Sequence, residues 1–281
     1  MNVYKFNIKN DIKDSNYFKN GSFLLLGKFE VFHKGHEELL KWAIENKKNE
    51  KLGILLIEKS ENNIQSLENK LNNLSKLKFD FVIVADFNFE FKSIDGSDFI
   101  KYLDHNFNIK QYIVGQDFRF GKDRKYQATD IHKISNASVE IISIIKNANI
   151  KISSSSIKEM HELGEYNHIK YLLTNPLIFD IKISNKILKW NEENINPPHY
   201  GNYYFKILID DFWYCGIIRF SIDKSIYYEL LNFPMENNIF DQKSKIQILD
   251  IERIIINNRF DDINENDLIK TKEFFKLHYK K

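Results

Sequence analysis

The sequence predicts an α/β fold, in which a doubly wound parallel sheet is followed by a small antiparallel β domain and a helix. Two observations indicate this fold. Through about the first 175 residues, short apolar runs alternate with stretches that place apolar residues at helical spacing. After Asn175-Pro176 the pattern changes to short strands separated by turn residues. We therefore expect one domain over residues 1–176 and a second over residues 177–281.

The first domain contains five short apolar runs that predict strands, at residues 23–26, 53–57, 81–84, 112–114 and 139–145. Helical spacing is found at residues 37–44, 64–77, 99–103 and 155–163. The first run, Phe-Leu-Leu-Leu, is continuous, as in a strand that is buried on both faces. Because such sheets bind ligands at the carboxyl ends of their strands, we expect the site in the loops after Leu26, Val114 and Ile145.

The second domain shows strand patterns at residues 178–183, 203–209, 213–220 and 245–256. Turn residues separate these strands, notably at residues 196–201 and at Asp210-Asp211. This arrangement predicts a small antiparallel barrel or sandwich. An amphipathic helix is expected over residues 264–277.

The composition argues against several classes of protein. The 281 residues include 41 basic and 39 acidic side chains, so the basic excess of a nucleic-acid binder is missing. Cys215 is the single cysteine, which rules out an intramolecular disulfide and a thiol-ligated zinc cluster. No apolar run reaches the ~18 residues of a membrane-spanning helix, and residues 1–19 lack the apolar core of a signal peptide. We expect a cytoplasmic protein with no nucleic-acid, membrane or specific protein partner.

The first candidate site is His33-Lys34-Gly35-His36, directly after the first predicted strand. Two histidines three residues apart at a helix start share one face and lie at the helix N-terminus. Backbone N–H groups and the helix dipole favour a phosphate there, and Gly35 lets a ligand approach the backbone closely. The alternative is a pair of exposed or packed histidines without a task. The position after a buried strand favours a function.

The second candidate site is the segment at residues 115–124, which is rich in Phe, Arg and Gly. Phe118 and Phe120 stand at alternating positions, a spacing suited to flanking a planar ring. Arg119 or Arg124 is suited to binding a phosphate. The alternative is an ordinary loop with aromatic residues packed beneath it.

The third candidate site is Ile152-Ser153-Ser154-Ser155-Ser156-Ile157-Lys158. Hydroxyl groups and one cation stand together at a predicted helix start. By itself, a serine run in this place is also a common helix N-cap.

The three segments resemble the motifs of a known family. His-x-Gly-His after a first buried strand is similar to the signature of the adenylyl- and cytidylyltransferase superfamily, which implies a Rossmann-like fold. Residues 115–121 resemble the Gly-x-Asp-Phe-x-Phe-Gly segment of bacterial FAD synthetases. Residues 152–158 resemble the Ile-Ser-Ser-Thr-x-Ile-Arg segment of that family, with Ser155 in place of Thr and Lys158 in place of Arg. The resemblance extends from about residue 20 to residue 175.

This resemblance implies transfer of AMP from ATP to FMN, which gives FAD and pyrophosphate, with Mg²⁺ held mainly by substrate phosphates and not by protein ligands. The catalytic residues that it implies are His33, His36 and Lys158. The ATP-binding residues that it implies are Gly27, Lys28, Phe29, Gly35, Ser154 and Ser155. The flavin-binding residues that it implies are Gly115, Asp117, Phe118, Arg119, Phe120 and Arg124.

The sequence also departs from the family pattern. The family reads Gly-Asn-Phe-Asp-Gly-Val-His-x-Gly-His, whereas this chain has Lys28 for Asn, Glu30 for Asp and Val31 for Gly. Tyr126 stands where the family usually has a Gly on the flavin side. These departures concern the geometry of the site more than the class of reaction.

The second domain resembles the riboflavin kinase that is fused to this transferase in bacteria. Gly201-Asn202-Tyr203 resembles the family's Gly-Val-Tyr, and Glu229 matches the start of the segment with the kinase's catalytic Glu. The kinase motif Gly-x-Pro-Thr-Ala-Asn is absent, and no Thr occurs between Thr174 and Thr271. We therefore expect a degenerate kinase domain, with Glu229 either a residual base or a solvated carboxylate.

Two alternatives remain open at this point. The first is a bifunctional enzyme that also phosphorylates riboflavin to FMN. The second, of another class, is a non-catalytic flavin or nucleotide sensor, which the altered residues Lys28, Glu30 and Val31 would suit.

Overall fold

The structure of the protein is a computed structural model. It describes residues 1–12, 14–61, 63–143, 146–147, 150–184, 187–190, 195–232, 242–256 and 262–279. The chain forms two compact units, the first from Met1–Asn63 and Lys70–Ser154, the second from Ile64–Asn69 and Ser155–Lys281. The division between functional domains at residues 176 and 177 stays a prediction.

A parallel sheet forms the centre of the first unit. The strands of this unit are β1 (Asn2–Lys5), β2 (Ser22–Leu26), β3 (Lys51–Glu58), β4 (Phe81–Asp86), β5 (Ile109–Gly115), β6 (Arg119–Phe120), β7 (Tyr126–Gln127), β8 (Ser138–Ile142), β9 (Lys146–Asn147) and β10 (Ile150–Lys151). Six of them form the sheet in the order β1-β4-β3-β2-β5-β8, with every neighbouring pair parallel. β6 pairs with β7, and β9 with β10, in short antiparallel ribbons.

The sequence pattern explains the central strands better than the edge strand. All five residues of β2 are buried, which confirms the prediction of a strand covered on both faces. β1 was not predicted, because its four residues, Asn-Val-Tyr-Lys, leave only one side chain partly buried. It lies at the edge of the sheet, where one neighbour suffices.

Helices connect the strands of the first unit. They are α1 (Lys34–Asn46), α2 (Leu67–Ser75), α3 (Phe89–Ser93) and α4 (Gly96–Phe107). Two 3₁₀ turns, Lys122–Arg124 and Ala128–Lys133, follow β6 and β7. α4 is longer than the predicted helix at residues 99–103, because the Asp95 side chain caps it by accepting a 2.8 Å hydrogen bond from the Ser97 N–H.

The second unit contains a six-stranded antiparallel sheet. Its elements are α5 (Ser154–Leu163), α6 (Tyr166–Leu172), β11 (Phe179–Ser184), β12 (Ile187–Trp190), β13 (Gly201–Ile209), β14 (Phe212–Phe220), β15 (Ile226–Leu230), β16 (Gln242–Ile254) and α7 (Glu265–His278). The strand order is β12-β11-β16-β13-β14-β15, and β12 lies near β15, so the sheet is almost closed into a barrel. The predicted fold class, a parallel α/β sheet followed by an antiparallel barrel and a helix, is confirmed.

Polar contacts fix α7 on this barrel. The Asn264 and Asp267 side chains each accept a hydrogen bond from the other residue's backbone N–H, at 3.1 and 3.0 Å. The buried Asp267 carboxylate also accepts a hydrogen bond from Asn202 at 3.1 Å and pairs with Arg253 at 3.1 Å. These partners lower the pKa of Asp267 against the opposing effect of its burial. No described helix is both long enough and apolar enough to span a membrane.

Candidate functional site

The candidate site lies where the strand order of the parallel sheet reverses. β2 is flanked by β3 on one side and by β5 on the other, so the chain leaves β2 and β5 towards opposite halves of the sheet. Ligands of open α/β sheets bind in the crevice at such a point, beyond the carboxyl ends of the strands. The His-x-Gly-His segment follows β2 and the Phe- and Arg-rich segment follows β5. Two of the three predicted segments therefore begin at adjacent strand ends.

His33 and His36 are packed against each other at the start of α1. His33 is the N-cap residue, and its ring stacks on that of His36 with centroids 3.6 Å apart and planes at 17°. The His33 backbone N–H donates to Nδ1 of His36 at 3.4 Å. Gly35 leaves room for this arrangement, because a Cβ there would lie 3.0 Å from Cε1 and Nδ1 of His33, closer than an ordinary contact.

His36 is held in its neutral form. Burial, and secondarily the neighbouring His33, lower its pKa well below the usual value, while a hydrogen bond with the Val31 backbone acts in the opposite direction. Nδ1 accepts the His33 N–H, so the proton of the neutral ring belongs on Nε2. His36 therefore carries no net charge near pH 7, and its single N–H is the group that donates to the Val31 backbone.

Aromatic rings support the histidines from the β2 side. Phe29 meets His36 edge-on with centroids 4.7 Å apart, and Phe32 meets it at 5.4 Å. Phe29 is buried and covers Gly27, where a Cβ would lie 2.9 Å from the Phe29 ring. Phe29 thus packs on both Gly27 and His36, and the binding of ATP by Gly27 and Phe29 stays a prediction.

Lys28, in the loop after β2, is influenced by charged residues that follow β3 and β5. It lies close enough to Arg124 and Lys59 for their charges to lower its pKa, after the larger effect of desolvation, and the carboxylates of Glu30 and Asp117 partly compensate. Lys28 was predicted for ATP, and Asp117 and Arg124 for the flavin. Residues of both predicted groups therefore influence one another electrostatically, and their roles in binding stay predictions.

The segment after β5 folds into a tight turn and a short hairpin. The Phe118 N–H donates to the Gly115 carbonyl at 3.0 Å, and Arg119 pairs with Gln127 across β6 and β7. Gly121 has a φ of +71°, and a Cβ there would lie 2.7 Å from the Gly96 backbone nitrogen. This position requires glycine both for its backbone angle and for the close approach of α4.

The aromatic residues of this segment stack on one another. Phe118 and Phe120 have centroids 5.5 Å apart at 15°, and Phe120 and Tyr126 have centroids 5.3 Å apart at 27°. A planar ring between two others needs about 7 Å, two layers of ~3.5 Å, so no ring lies between Phe118 and Phe120 in this arrangement. Phe120 is buried and Phe118 is partly exposed. Binding of the flavin by this segment stays a prediction.

Tyr126, the departure from the family pattern, is accommodated by a glycine elsewhere. A Cβ on Gly96 would lie 2.3 Å from the Tyr126 ring, so Gly96 makes room for it. The Tyr126 hydroxyl donates to the Asp95 carboxylate at 3.1 Å, and this contact raises the pKa of Tyr126. The large side chain thus closes over the N-terminus of α4.

The third segment lies partly in each compact unit. The Ile152 carbonyl lies 4.0 Å from where a Cβ on Gly35 would be, so this segment begins beside the histidines. α5 begins at Ser154, one residue before the predicted start. Ser155 is exposed, and Lys158 lies 3.8 Å from Glu162. Both belong to the second unit, and their role in binding phosphates stays a prediction.

The predicted kinase residues of the second unit have no assembled site among the described residues. Glu229 lies on β15, opposite Ile217, with its side chain exposed. In the stretch at residues 184–196, where the kinase motif is expected, residues 185, 186 and 191–194, including Asn185 and Asn194, lie outside the described residues. A role for Glu229 as residual base stays a prediction.

Sequence reasoning missed Lys59 at the end of β3. Its Nζ lies 2.6 Å from Oε2 of the buried Glu30, in the loop that follows β2. The available signal was its position, because β3 is next to β2 in a parallel sheet and the loops after both strands lie at the same edge.

A parallel sheet with a His-x-Gly-His helix start at its reversal point defines a Rossmann-like nucleotidyltransferase. The sequence model of the FAD synthetase family matches residues 15–156, and the chain belongs to this family. A bifunctional riboflavin kinase/FMN adenylyltransferase of Buchnera aphidicola is 27% identical over 262 residues, 81% of this chain and 84% of that protein. An FAD synthetase of Listeria monocytogenes is 25% identical over 171 residues, 54% of this chain and 68% of that protein.

The fold as a whole is shared with a solved structure. A crystal structure of a macrolide-efflux protein from Streptococcus pneumoniae is similar with a TM-score of 0.82 and covers 100% of both chains. Its sequence is 20% identical, so this likeness shows the fold alone.

Proposed function

We propose that this chain is an FMN adenylyltransferase, which transfers AMP from ATP to FMN and releases pyrophosphate. The observation that carries the proposal is the meeting of two family motifs at adjacent strand ends. The histidine pair follows β2, the flavin-type segment follows β5, and Lys28 lies near Asp117 and Arg124 of the latter. An acceptor phosphate bound by one segment then faces an ATP phosphate bound by the other.

The reaction is a displacement at phosphorus. An oxygen of the FMN phosphate forms a bond to the α-phosphorus of ATP, and the bond to the departing pyrophosphate breaks. No covalent intermediate with the protein is needed, so catalysis consists of positioning and stabilisation of charge. In this proposal His33 and His36 contact the phosphate chain, with His36 at the charge that develops there, and the stack between the two rings fixes the orientation of His36.

Further residues hold the phosphates in this proposal. Lys28 serves the α-phosphate, and Ser155 and Lys158 hold the β- and γ-phosphates. Lys158 supplies a point charge where the family has a planar Arg, so it gives up bidentate binding but keeps the positive charge.

Mg²⁺ would be held mainly by the phosphate oxygens of the substrates. Within the described part of the chain, no group of three His, Cys, Asp or Glu side chains converges. Glu30, the buried carboxylate in the loop after β2, is paired with Lys59. When bound, the ion neutralises charge on the transferring phosphates.

The riboflavin kinase activity of the bifunctional relatives is weak or lost in this proposal. The absence of Gly-x-Pro-Thr-Ala-Asn, and of any Thr from residue 175 to residue 270, supports it. We place the enzyme in the cytoplasm.

The test compares flavins as starting materials. The full chain is incubated with ATP and Mg²⁺ and either riboflavin or FMN, and products are separated by chromatography. FAD from FMN, with little or no product from riboflavin, supports the proposal. Equal conversion of riboflavin identifies a bifunctional enzyme. A parallel incubation offers a nicotinamide or pantetheine phosphate as acceptor, and adenylylation of that acceptor, with none of FMN, refutes the assignment of residues 115–121 to the flavin.

A further inference from the structure

Lys59 and Glu30 form an ion pair at the edge of the candidate site. Nζ of Lys59 lies 2.6 Å from Oε2 of Glu30, whose relative exposure is 7%. The other oxygen, Oε1, is buried and has no hydrogen-bond partner among the described residues. A buried carboxylate needs a counter-charge, and Lys59 supplies it.

Lys59 also belongs to a group of cations that converge from three strand ends. Lys28 follows β2, Lys59 follows β3, and Arg124 belongs to the segment after β5. These three strands are neighbours in the parallel sheet, so the loops that follow them lie at one edge; burial, and after it the charges of Arg124 and Lys59, lower the pKa of Lys28. The carboxylates close to Lys28 are Glu30 and Asp117, so three positive charges face two negative ones.

We propose that Lys59 is a further phosphate-binding residue, which together with Lys28 and Arg124 forms a three-cation cluster that receives a phosphate group of the reaction. Glu30 is the resident counter-charge of this cluster. The proposal deepens the function proposed above and rests on it. None of the three motif segments described in the sequence analysis includes Lys59.

The chemistry of Lys59 allows both contacts at once. An ammonium group has three N–H donors, and the bond to Glu30 uses one. The Lys59 side chain is 36% exposed, so the remaining donors are accessible to a ligand. An incoming phosphate adds negative charge where the cations outnumber the carboxylates, and thereby relieves their mutual repulsion.

Two phosphate groups have the required chemistry, the monophosphate of FMN and the departing pyrophosphate. Riboflavin separates them, because it carries the same ring system as FMN without the phosphate. The ratio of riboflavin Kd to FMN Kd therefore reports the acceptor phosphate, and binding of inorganic pyrophosphate reports the leaving group.

The two members of the ion pair give opposite predictions. Lys59→Met removes a cation, so the Kd for the phosphate that the cluster binds rises about 10-fold, equal to about 1.4 kcal/mol. Glu30→Gln removes the competing carboxylate, so the same Kd falls. If the ion pair had only a structural role, Lys59→Met and Glu30→Gln would change this Kd in the same direction.

The measurements are flavin fluorescence titrations and calorimetry with pyrophosphate on the full chain. Lys59→Met strands a buried carboxylate and can unfold the protein, so Glu30→Gln/Lys59→Met is compared with Glu30→Gln in parallel. Lys59→Arg should restore binding. Lys9→Met is the matched control, since Lys9 forms an ion pair of the same 2.6 Å length with Glu90.

A loss confined to FMN assigns the cluster to the acceptor phosphate, a loss confined to pyrophosphate assigns it to the leaving group, and a loss of both assigns it to both. The inference is overturned if neither changes, or if Glu30→Gln weakens binding as Lys59→Met does. The proposed function is judged separately: wild-type protein that makes no FAD refutes that function, while the pyrophosphate titration still tests the cluster.

Discussion

Gly35→Ala should separate catalysis from folding, because it disturbs the histidine pair and favours the helix. The added Cβ would lie 3.0 Å from two atoms of the His33 ring. Ordinary carbon contacts are about 3.5–4.0 Å, so the ring must move by roughly 0.5–1 Å. That ring stacks on His36 at 3.6 Å, and the displacement is passed on to it. A 1 Å misplacement costs on the order of 100-fold in rate, so we expect kcat to fall 10- to 100-fold, about 1.4–2.7 kcal/mol.

Stability should change little or rise, because alanine exceeds glycine in helix propensity by up to about 1 kcal/mol. The assay measures FAD formation under saturating FMN and ATP, beside urea unfolding. Glu38→Ala, an exposed position of the same helix, is the matched control. Unchanged kcat in Gly35→Ala would refute the link between the ring geometry and turnover.

Three further predictions concern individual side chains. His36→Ala should lower turnover at least about 100-fold, the range of a general electrostatic or acid–base group, while flavin binding is kept. Retained turnover would contradict the proposed role of His36. A wild-type protein that binds flavin and ATP without turnover would indicate a sensor. Gly121→Ala should lower the free energy of unfolding by about 1–3 kcal/mol, since its φ is +71° and its Cβ would lie 2.7 Å from Gly96; urea unfolding with an unchanged midpoint would refute this. Burial lowers the pKa of His36 and His161, so the unfolded chain binds more protons below pH 6.5 and stability should fall as pH drops from 7.5 to 5.5; a flat profile in unfolding experiments, with His161→Gln as comparison, would contradict it.

The sequence predicted the parts of the fold that are continuous and buried. β2, with all five residues buried, is recognisable from its apolar run alone. β15 is not, because only Ile226 of its five residues is buried and the strand is stabilised by pairing with β14. The four-residue edge strand β1 was not predicted, for the same reason. Strands made by pairing, and not by an apolar pattern, leave no local signal.

The motifs predicted where the candidate site lies, but not the contacts within it. The segment after β5 was predicted correctly as a loop and turn, whereas the stack of Phe118 on Phe120 depends on tertiary packing. The contact in which Gly96 makes room for the Tyr126 ring joins residues 30 positions apart, so only the folded structure reveals it. Lys59 was not predicted as a site residue, because its partner Glu30 is 29 residues away along the chain and follows a different strand.

The most direct test of the central claim is the stoichiometry of the reaction with FMN. The full chain is incubated with FMN, ATP and Mg²⁺, and FAD and pyrophosphate are quantified in the same samples, with His36→Ala alongside. The account predicts one pyrophosphate for each FAD in the wild type and loss of both products in the variant. Pyrophosphate without FAD, or FAD formation that His36→Ala leaves unchanged, would contradict it.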